Sequence, residues 1–271
     1  MPNFMTLTLD DVTAEKESQI HEVRSAIERS EEIKTLAAKI KETPDCSETW
    51  MCFGLAFAKQ KLFREAIAAF SRAVALDPFK AIVYRHRGHR LLSIHRFEEA
   101  VADFEIGSRL DPENWDIWYH LGLSYYLVGE YQKSVYAYIN CVRVTDSTEK
   151  LVAVLDWYWT TLIRLGRRAE ADALLEPVNK DTEYGENYSY YRRILLYKGE
   201  VRPEELMDFE GAPFPALEIA TQGYGLANYY FANGKDTEAR TLLTKIVETA
   251  GSDMWSAFGY LAALVDIENG R

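Results

Sequence analysis

Only three of the 271 residues are cysteine (Cys46, Cys52 and Cys141), and no two of them form a C-x-x-C pair. So sparse and odd a set excludes a disulfide framework and reads as free thiols in a reducing compartment. No apolar stretch approaches the ~20 residues that a membrane span needs. The opening Met1-Pro2-Asn3-Phe4-Met5-Thr6-Leu7 has no basic segment followed by an apolar run and a small-residue cleavage site. The chain therefore reads as soluble and cytoplasmic, with no membrane partner. Positive charge is also scarce: 31 Lys and Arg stand against 42 Asp and Glu, a formal net charge of −11. That balance argues against nucleic acid as a partner, because backbone binding needs a phosphate-neutralising surface. Catalytic signatures are missing too: there is no Gly-rich phosphate loop, no G-x-S-x-G elbow and no H-E-x-x-H pair. The reading is of a non-enzyme without cofactor or metal.

What the chain does contain is a period. Gly54, Gly88 and Gly122 lie 34 residues apart, as do Ala66, Ala100 and Ser134, and Phe70, Phe104 and Tyr138. Phe63, Phe97 and Tyr131 form another series at the same interval, and Pro78 and Pro112 a shorter one. A fixed interval of this length marks helix–turn–helix units that are each too small to bury their own apolar face, so neighbours must stack. The glycines and small residues fit where the two helices of a unit approach closely, and the aromatic positions fill the space between units. Asp77-Pro78 and Asp111-Pro112 stop the second helices, since proline cannot continue a helix and the residue before it avoids helical geometry.

The pattern W-x-x-L-G-x-x-Y, A-x-x-x-F, P resembles the tetratricopeptide repeat signature. The first unit (47–80) carries Trp50, Phe53-Gly54, Phe57, Ala66, Phe70, Ala73 and Pro78. The second (81–114) carries Tyr84, Gly88, Leu91, Ala100, Phe104, Ser108 and Pro112, with Arg87 in place of the usual Leu. The third (115–148) carries Trp118, Leu121-Gly122, Tyr125, Ser134, Tyr138 and Cys141, with Asp146 in place of proline. The resemblance implies an all-α fold, a right-handed helical-hairpin solenoid.

Outside these units the organisation is looser. Residues 1–46 read as an N-terminal arm and an amphipathic helix. Met5, Leu7 and Leu9 alternate with Thr6 and Thr8, as in an extended arm or a frayed end, and Ile20, Val23, Ile27, Ile33, Leu36, Ala37 and Ile40 follow helical spacing up to Pro44. Residues 149–178 read as a degenerate fourth repeat turning at Leu165-Gly166, with an aromatic first helix containing Trp157, Tyr158 and Trp159. Residues 179–219 read as an irregular helical connection, helical over Tyr188 to Lys198 and then punctuated by Gly199, Pro203, Gly211, Pro213 and Pro215. Residues 220–271 read as a fifth repeat turning at Asn233-Gly234, closed by a helix from Met254 to about Glu268.

In tetratricopeptide proteins the first helices line a concave groove that holds a peptide. Carried over by position, the resemblance implies a groove containing Met51, Leu55, Arg85, His86, His89, Tyr119, Leu123, Tyr126, Asp156 and Thr160. The Lys/Asn carboxylate clamp of chaperone-binding members is absent, since Met51, Leu55, His86, Tyr119 and Leu123 stand at its positions. A positive island, Arg85, His86, Arg87, His89, Arg90 and His95, has no acidic residue between Ala81 and Arg96. It fits a patch for an acidic peptide segment or terminal carboxylate; it fits equally a set of ion pairs with Glu98, Glu99, Asp103 and Glu105 on the next helix. His86 and His89 lack a third ligand at local spacing, so groove-lining or solvated histidines are expected rather than a metal pair. Arg192 and Arg193 read as a solvated helix face, and the aromatics of the fourth unit as structural, with Trp157 nearest the groove. The functional expectation is a non-catalytic scaffold that binds a protein or peptide partner. The competing expectation is a self-assembling homodimer that uses the N-terminal helix and the solenoid ends.

Overall fold

A computed structural model describes residues 30–207, 216–251 and 254–271. The expected arm at 1–12, the 14–29 part of the amphipathic segment, and Gly211, Pro213 and Pro215 lie outside the described residues. Fourteen helices and no strand are found among those described. They are α1 (Glu31–Glu42), α2 (Ser47–Lys59), α3 (Phe63–Leu76), α4 (Ala81–Ser93), α5 (Phe97–Leu110), α6 (Trp115–Leu127) and α7 (Tyr131–Arg143). There follow α8 (Thr148–Arg164), α9 (Arg168–Leu174), α10 (Tyr188–Tyr197), α11 (Pro203–Leu206), α12 (Ala216–Ala232), α13 (Asp236–Ala250) and α14 (Phe258–Glu268). The chain divides into two compact units, and the division falls after Ser124, inside α6.

In the first unit, α2 and α3 form one hairpin and α4 and α5 the next. Glycine is required at the close approach. A Cβ on Gly54 would come within 2.5 Å of the Phe70 ring, and one on Gly88 within 2.9 Å of Phe104. Hairpins then bury each other: Met51 from α2, Ala66, Phe70 and Ala73 from α3, and Val83 from α4 make one cluster.

The repeated aromatic at the fourth position has a second role beyond packing. Trp50 Nε1 donates to the Pro44 carbonyl (2.8 Å), Tyr84 Oη to Pro78 (3.1 Å) and Trp118 Nε1 to Pro112 (2.8 Å). Each bond satisfies a carbonyl that the helix-ending proline leaves free, while the ring body stays apolar. Where Asp146 replaces the proline, a capping residue takes over: Ser147 accepts from the Lys150 backbone N–H at 3.3 Å.

The turn inside each hairpin is equally regular. Leu62, Arg96, Glu130, Arg167 and Lys235 donate their backbone N–H to the carbonyls of Phe57, Leu91, Tyr125, Leu162 and Tyr230. The residue before each donor is left-handed: Lys61 (φ 61°), His95 (63°), Gly129 (77°), Gly166 (70°) and Gly234 (71°). This is a glycine-favouring helix stop, and His95 therefore belongs to a turn rather than to the helix-borne island.

In the second unit, α8 pairs with α9, and α12 with α13, while α14 packs on both α12 and α13. The second helix of the fourth hairpin is cut to seven residues. Helix α10 covers most of the stretch expected to be helical and packs against both α8 and α12. The last helix begins at Phe258 rather than at Met254, because residues 254–257 form a turn closed by the Ala257 N–H to the Met254 carbonyl (2.8 Å).

Lys61 is exposed and left-handed, so Lys61→Gly is expected to stabilise the protein by about 1 kcal/mol. Gly129→Ala, with open space around its Cβ position, should cost a similar amount. Chemical denaturation of both variants checks the pair, and opposite signs are required.

Candidate functional site

Helix α4 carries the basic island, and its residues have different environments. Arg87 is committed to the fold: its Nε and a terminal nitrogen meet both Asp103 oxygens at 2.8 and 2.6 Å, and its other nitrogen donates to Ser71 Oγ at 3.1 Å. That pair is the expected link to the following helix. Arg85 instead pairs with Asp116 of α6, a partner outside the expected set. The His120 Nδ1 donates to the Asp116 backbone carbonyl at 2.7 Å and lies 3.0 Å from its carboxylate. Burial works against ionisation of Asp116, but His120 and Arg85 together hold its carboxyl well below the usual range.

The two histidines of the island are uncharged near neutral pH. His86 stacks on Phe70 with centroids 5.7 Å apart; burial and the Arg85 charge push its pKa down to about 4. His89 lies against His120, 4.7 Å between rings; burial, then His120 and Arg90, hold it well below the ordinary imidazole value. No group of three or more metal-ligating side chains occurs among the described residues.

Arg90 differs from its neighbours. Its guanidinium sits over the Phe63 ring at 4.9 Å. Burial and the repulsion of Arg85 lower its pKa to about 10, with no acidic neighbour acting in the other direction. The island thus reduces to one half-buried cation with no carboxylate partner among the described residues, flanked by an Arg85 paired with Asp116 and two neutral histidines.

The other groove positions of the first unit are less open. Met51 is in the core between hairpins. Tyr119 is buried and stacks on Trp115 at 4.8 Å, and Leu123 is fully buried. Leu55 is exposed, but it borders a cleft between α1 and α2.

In the second unit the structure departs from the groove expectation. Tyr126, Asp156 and Thr160 are all interior. Arg193, expected on a solvated face, is 1% exposed and pairs with Asp156 at 2.8 Å. It also donates to Tyr197 Oη and to the Thr221 carbonyl, both at 3.2 Å. Thr160 bonds back to the Asp156 carbonyl at 3.0 Å. A second guanidinium, Arg164, donates to Tyr126 Oη (2.7 Å), Tyr224 Oη (3.1 Å), Asn228 Oδ1 (2.8 Å) and Asp266 (2.5 Å). Tyr224 Oη donates to Asp266 at 2.9 Å, so its 2.6 Å contact with Tyr126 is made with the Tyr126 proton. Trp157, between these two networks, is fully buried against Tyr126 and Tyr224. The faces of α8, α10 and α12 that a groove would need open are packed on one another. Arg192, in contrast, is half-buried, donates to the Glu205 carbonyl and covers Tyr188.

One sequence signal pointed to this core. Asp156 stands in a run of Leu155, Trp157, Tyr158 and Trp159, where an unpaired carboxylate would be prohibitively costly and a cationic partner is demanded. Gly225 is the matching feature, since a Cβ there would meet Arg193 Nε at 2.2 Å. Neither the identity of that partner nor the pairing of Arg164 with Asp266, 102 residues later, is readable from local spacing.

Residues 33–81 and 86–140 match the family model described as tetratricopeptide repeat. These two segments carry tetratricopeptide repeats. Among curated relatives it is 32% identical over 107 residues to tetratricopeptide repeat protein 33 of Homo sapiens, covering 39% of this chain and 38% of that one. It is 25% identical over 122 residues to protein bimA of Emericella nidulans, 45% of this chain and 15% of that one. The matches thus span well under two thirds of these relatives. Among solved structures, YrrB shares the fold with TM-score 0.50 at 16% identity, over 82% of this chain and 95% of that one. No helix among the described residues is long and apolar enough to cross a membrane.

Two outcomes follow from these environments. Asp156→Ala, which strands Arg193 without a counter-charge, is expected to cost about 3–5 kcal/mol. Gly225→Ala, which displaces the same arginine, should cost about 1–3 kcal/mol. Urea melts of each variant measure both. The histidines set a pH dependence. The unfolded chain protonates them near pH 6.5, whereas the folded chain resists to about pH 4 at His86 and beyond the ordinary range at His89. Their contribution is therefore present above pH 6.5 and lost as pH falls through that window. The stability of wild type minus that of His86→Gln/His89→Gln should drop steadily between pH 7 and pH 4.5.

Proposed function

We propose that the protein is a non-catalytic interaction scaffold that binds an acidic, extended segment of a partner protein along the first-helix face of its first unit, at α4. The observation that carries this reading is Arg90, a guanidinium of the same helix that has no carboxylate partner among the described residues. A planar donor fork held over an aromatic ring and left without an anion is suited to a ligand carboxylate. Arg85, His86 and His89 form its surroundings. The family match supports a protein-interaction role, as does the description of YrrB as a repeat protein with an unusual peptide-binding site. The name Hsp70-Hsp90 organizing protein, borne by a Triticum aestivum relative 34% identical over 93 residues, points the same way. Binding through the chaperone-tail clamp is not part of the proposal, because Met51, His86, Tyr119 and Leu123 occupy its positions.

The test is fluorescence anisotropy with a labelled peptide that ends in five glutamates and a free carboxylate. Arg90→Glu is expected to weaken binding at least tenfold, and raising salt from 50 to 300 mM to weaken wild type in the same direction. Equal affinity of wild type and Arg90→Glu would reject the proposed face.

A further inference from the structure

Between α1 and α2 lies an open cleft of about 550 Å³. Its floor is apolar (Leu36, Leu55 and Cys52), and Glu31, Glu32 and Lys59 stand on its rim. Three observations place this cleft inside the repeat rather than beside it. First, Pro44 lies 34 residues before Pro78, and Trp50 bonds the Pro44 carbonyl as Tyr84 and Trp118 bond Pro78 and Pro112. Second, the family match opens at residue 33, within α1. Third, Ile33 of α1 packs with Ala56 and Leu62 of the next hairpin, as the second helix of a preceding unit does. Helix α1 thus stands where the second helix of a unit does, and the same shift carries the first-helix positions 47–59 to 13–25.

The cleft is where that helix would sit. In the next unit, the positions 34 residues on from Cys52, Leu55 and Ala56 are His86, His89 and Arg90. There, His86 packs on Phe70 and Arg90 on Phe63, filling the equivalent space from α4. At the start of the array, the close-approach pair Gly54/Phe70 becomes Ile20/Leu36 by the same shift. The larger residue moves to the first helix and the smaller to the second, so the bulk needed to fill the cleft is carried by residue 20. Ile20 and Val23, three residues apart, recur at helical spacing.

We propose that the cleft is the seat of residues 13–25 of this same chain, packed as the first helix of an additional N-terminal repeat. The array then starts with a full unit, and Leu55 faces this helix instead of a ligand. The inference does not depend on the ligand face at Arg90.

Cys52 reports on the seat directly. Timed iodoacetamide labelling of the full chain, read peptide by peptide by mass spectrometry, is compared for wild type and Ile20→Asp/Val23→Asp. The expected result is at least tenfold faster labelling of Cys52 in the variant, with the deeply buried Cys141 as slow as before. An unchanged Cys52 rate with Cys141 still protected overturns the proposal. If Cys141 opens as well, the decision passes to Ile20→Cys/Leu36→Cys, oxidised at 1 µM. A 20–36 disulfide within one chain supports the seat. No disulfide overturns it, and a disulfide between two chains overturns it in favour of a second copy as the occupant.

Discussion

Two helices can form a hairpin of this kind only if their backbones approach closely, and everything else in the array follows from that approach. Where Gly54 faces Phe70 and Gly88 faces Phe104, any Cβ would collide with the ring. Phe70 also meets Val83 and His86 of the next unit. No hairpin buries its ring by itself, so a core such as Met51, Phe70 and Val83 is assembled from three helices. The proline carbonyls bonded by Trp50, Tyr84 and Trp118 set where each new hairpin begins. The left-handed residues at 61, 95 and 129 set where each one folds back.

The second unit meets the same requirement by other means. Its short α9 and the added α10 do not reproduce the regular stack, and the positions that would face a groove are filled by two arginines with their carboxylates. Buried ion pairs of this sort contribute little net stability compared with apolar packing, but each is unforgiving of the loss of one partner. Tyrosines hydrogen-bond into both pairs: Tyr197 accepts from Arg193, Tyr126 accepts from Arg164, and Tyr224 donates to Asp266. Their chemistry accounts for them as elements of the fold. Arg90 contrasts with both, since this cation on α4 has an aromatic neighbour and, among the described residues, no carboxylate partner.

Much of this was legible in the sequence. The interval of 34 gave the hairpins, their turns and their close contacts, because packing at short range recurs with the period. The pairing of Arg87 with Asp103 was among the expected alternatives for the same reason. What the interval could not convey is contact between segments that do not repeat. Arg193 sits in a non-repetitive stretch and was read as solvated, although its partner Asp156 stood conspicuously among aromatics. Asp156, Thr160 and Tyr126 were carried into a groove by positional analogy, which fails once α10 and α12 pack across α8. Pro44 was in register all along, but its meaning emerges only when the Trp50 bond to its carbonyl is seen beside those of Tyr84 and Trp118.

The proposal places recognition on α4 around Arg90, whereas Asp156 and Thr160 of α8 are core. Amide hydrogen exchange over the whole chain, with and without saturating pentaglutamate-tailed peptide, tests it directly. The account predicts added protection within residues 81–93 and none within 156–164, whose amides are already slow in the free protein. Fast exchange across 156–164 that slows on peptide binding would contradict it.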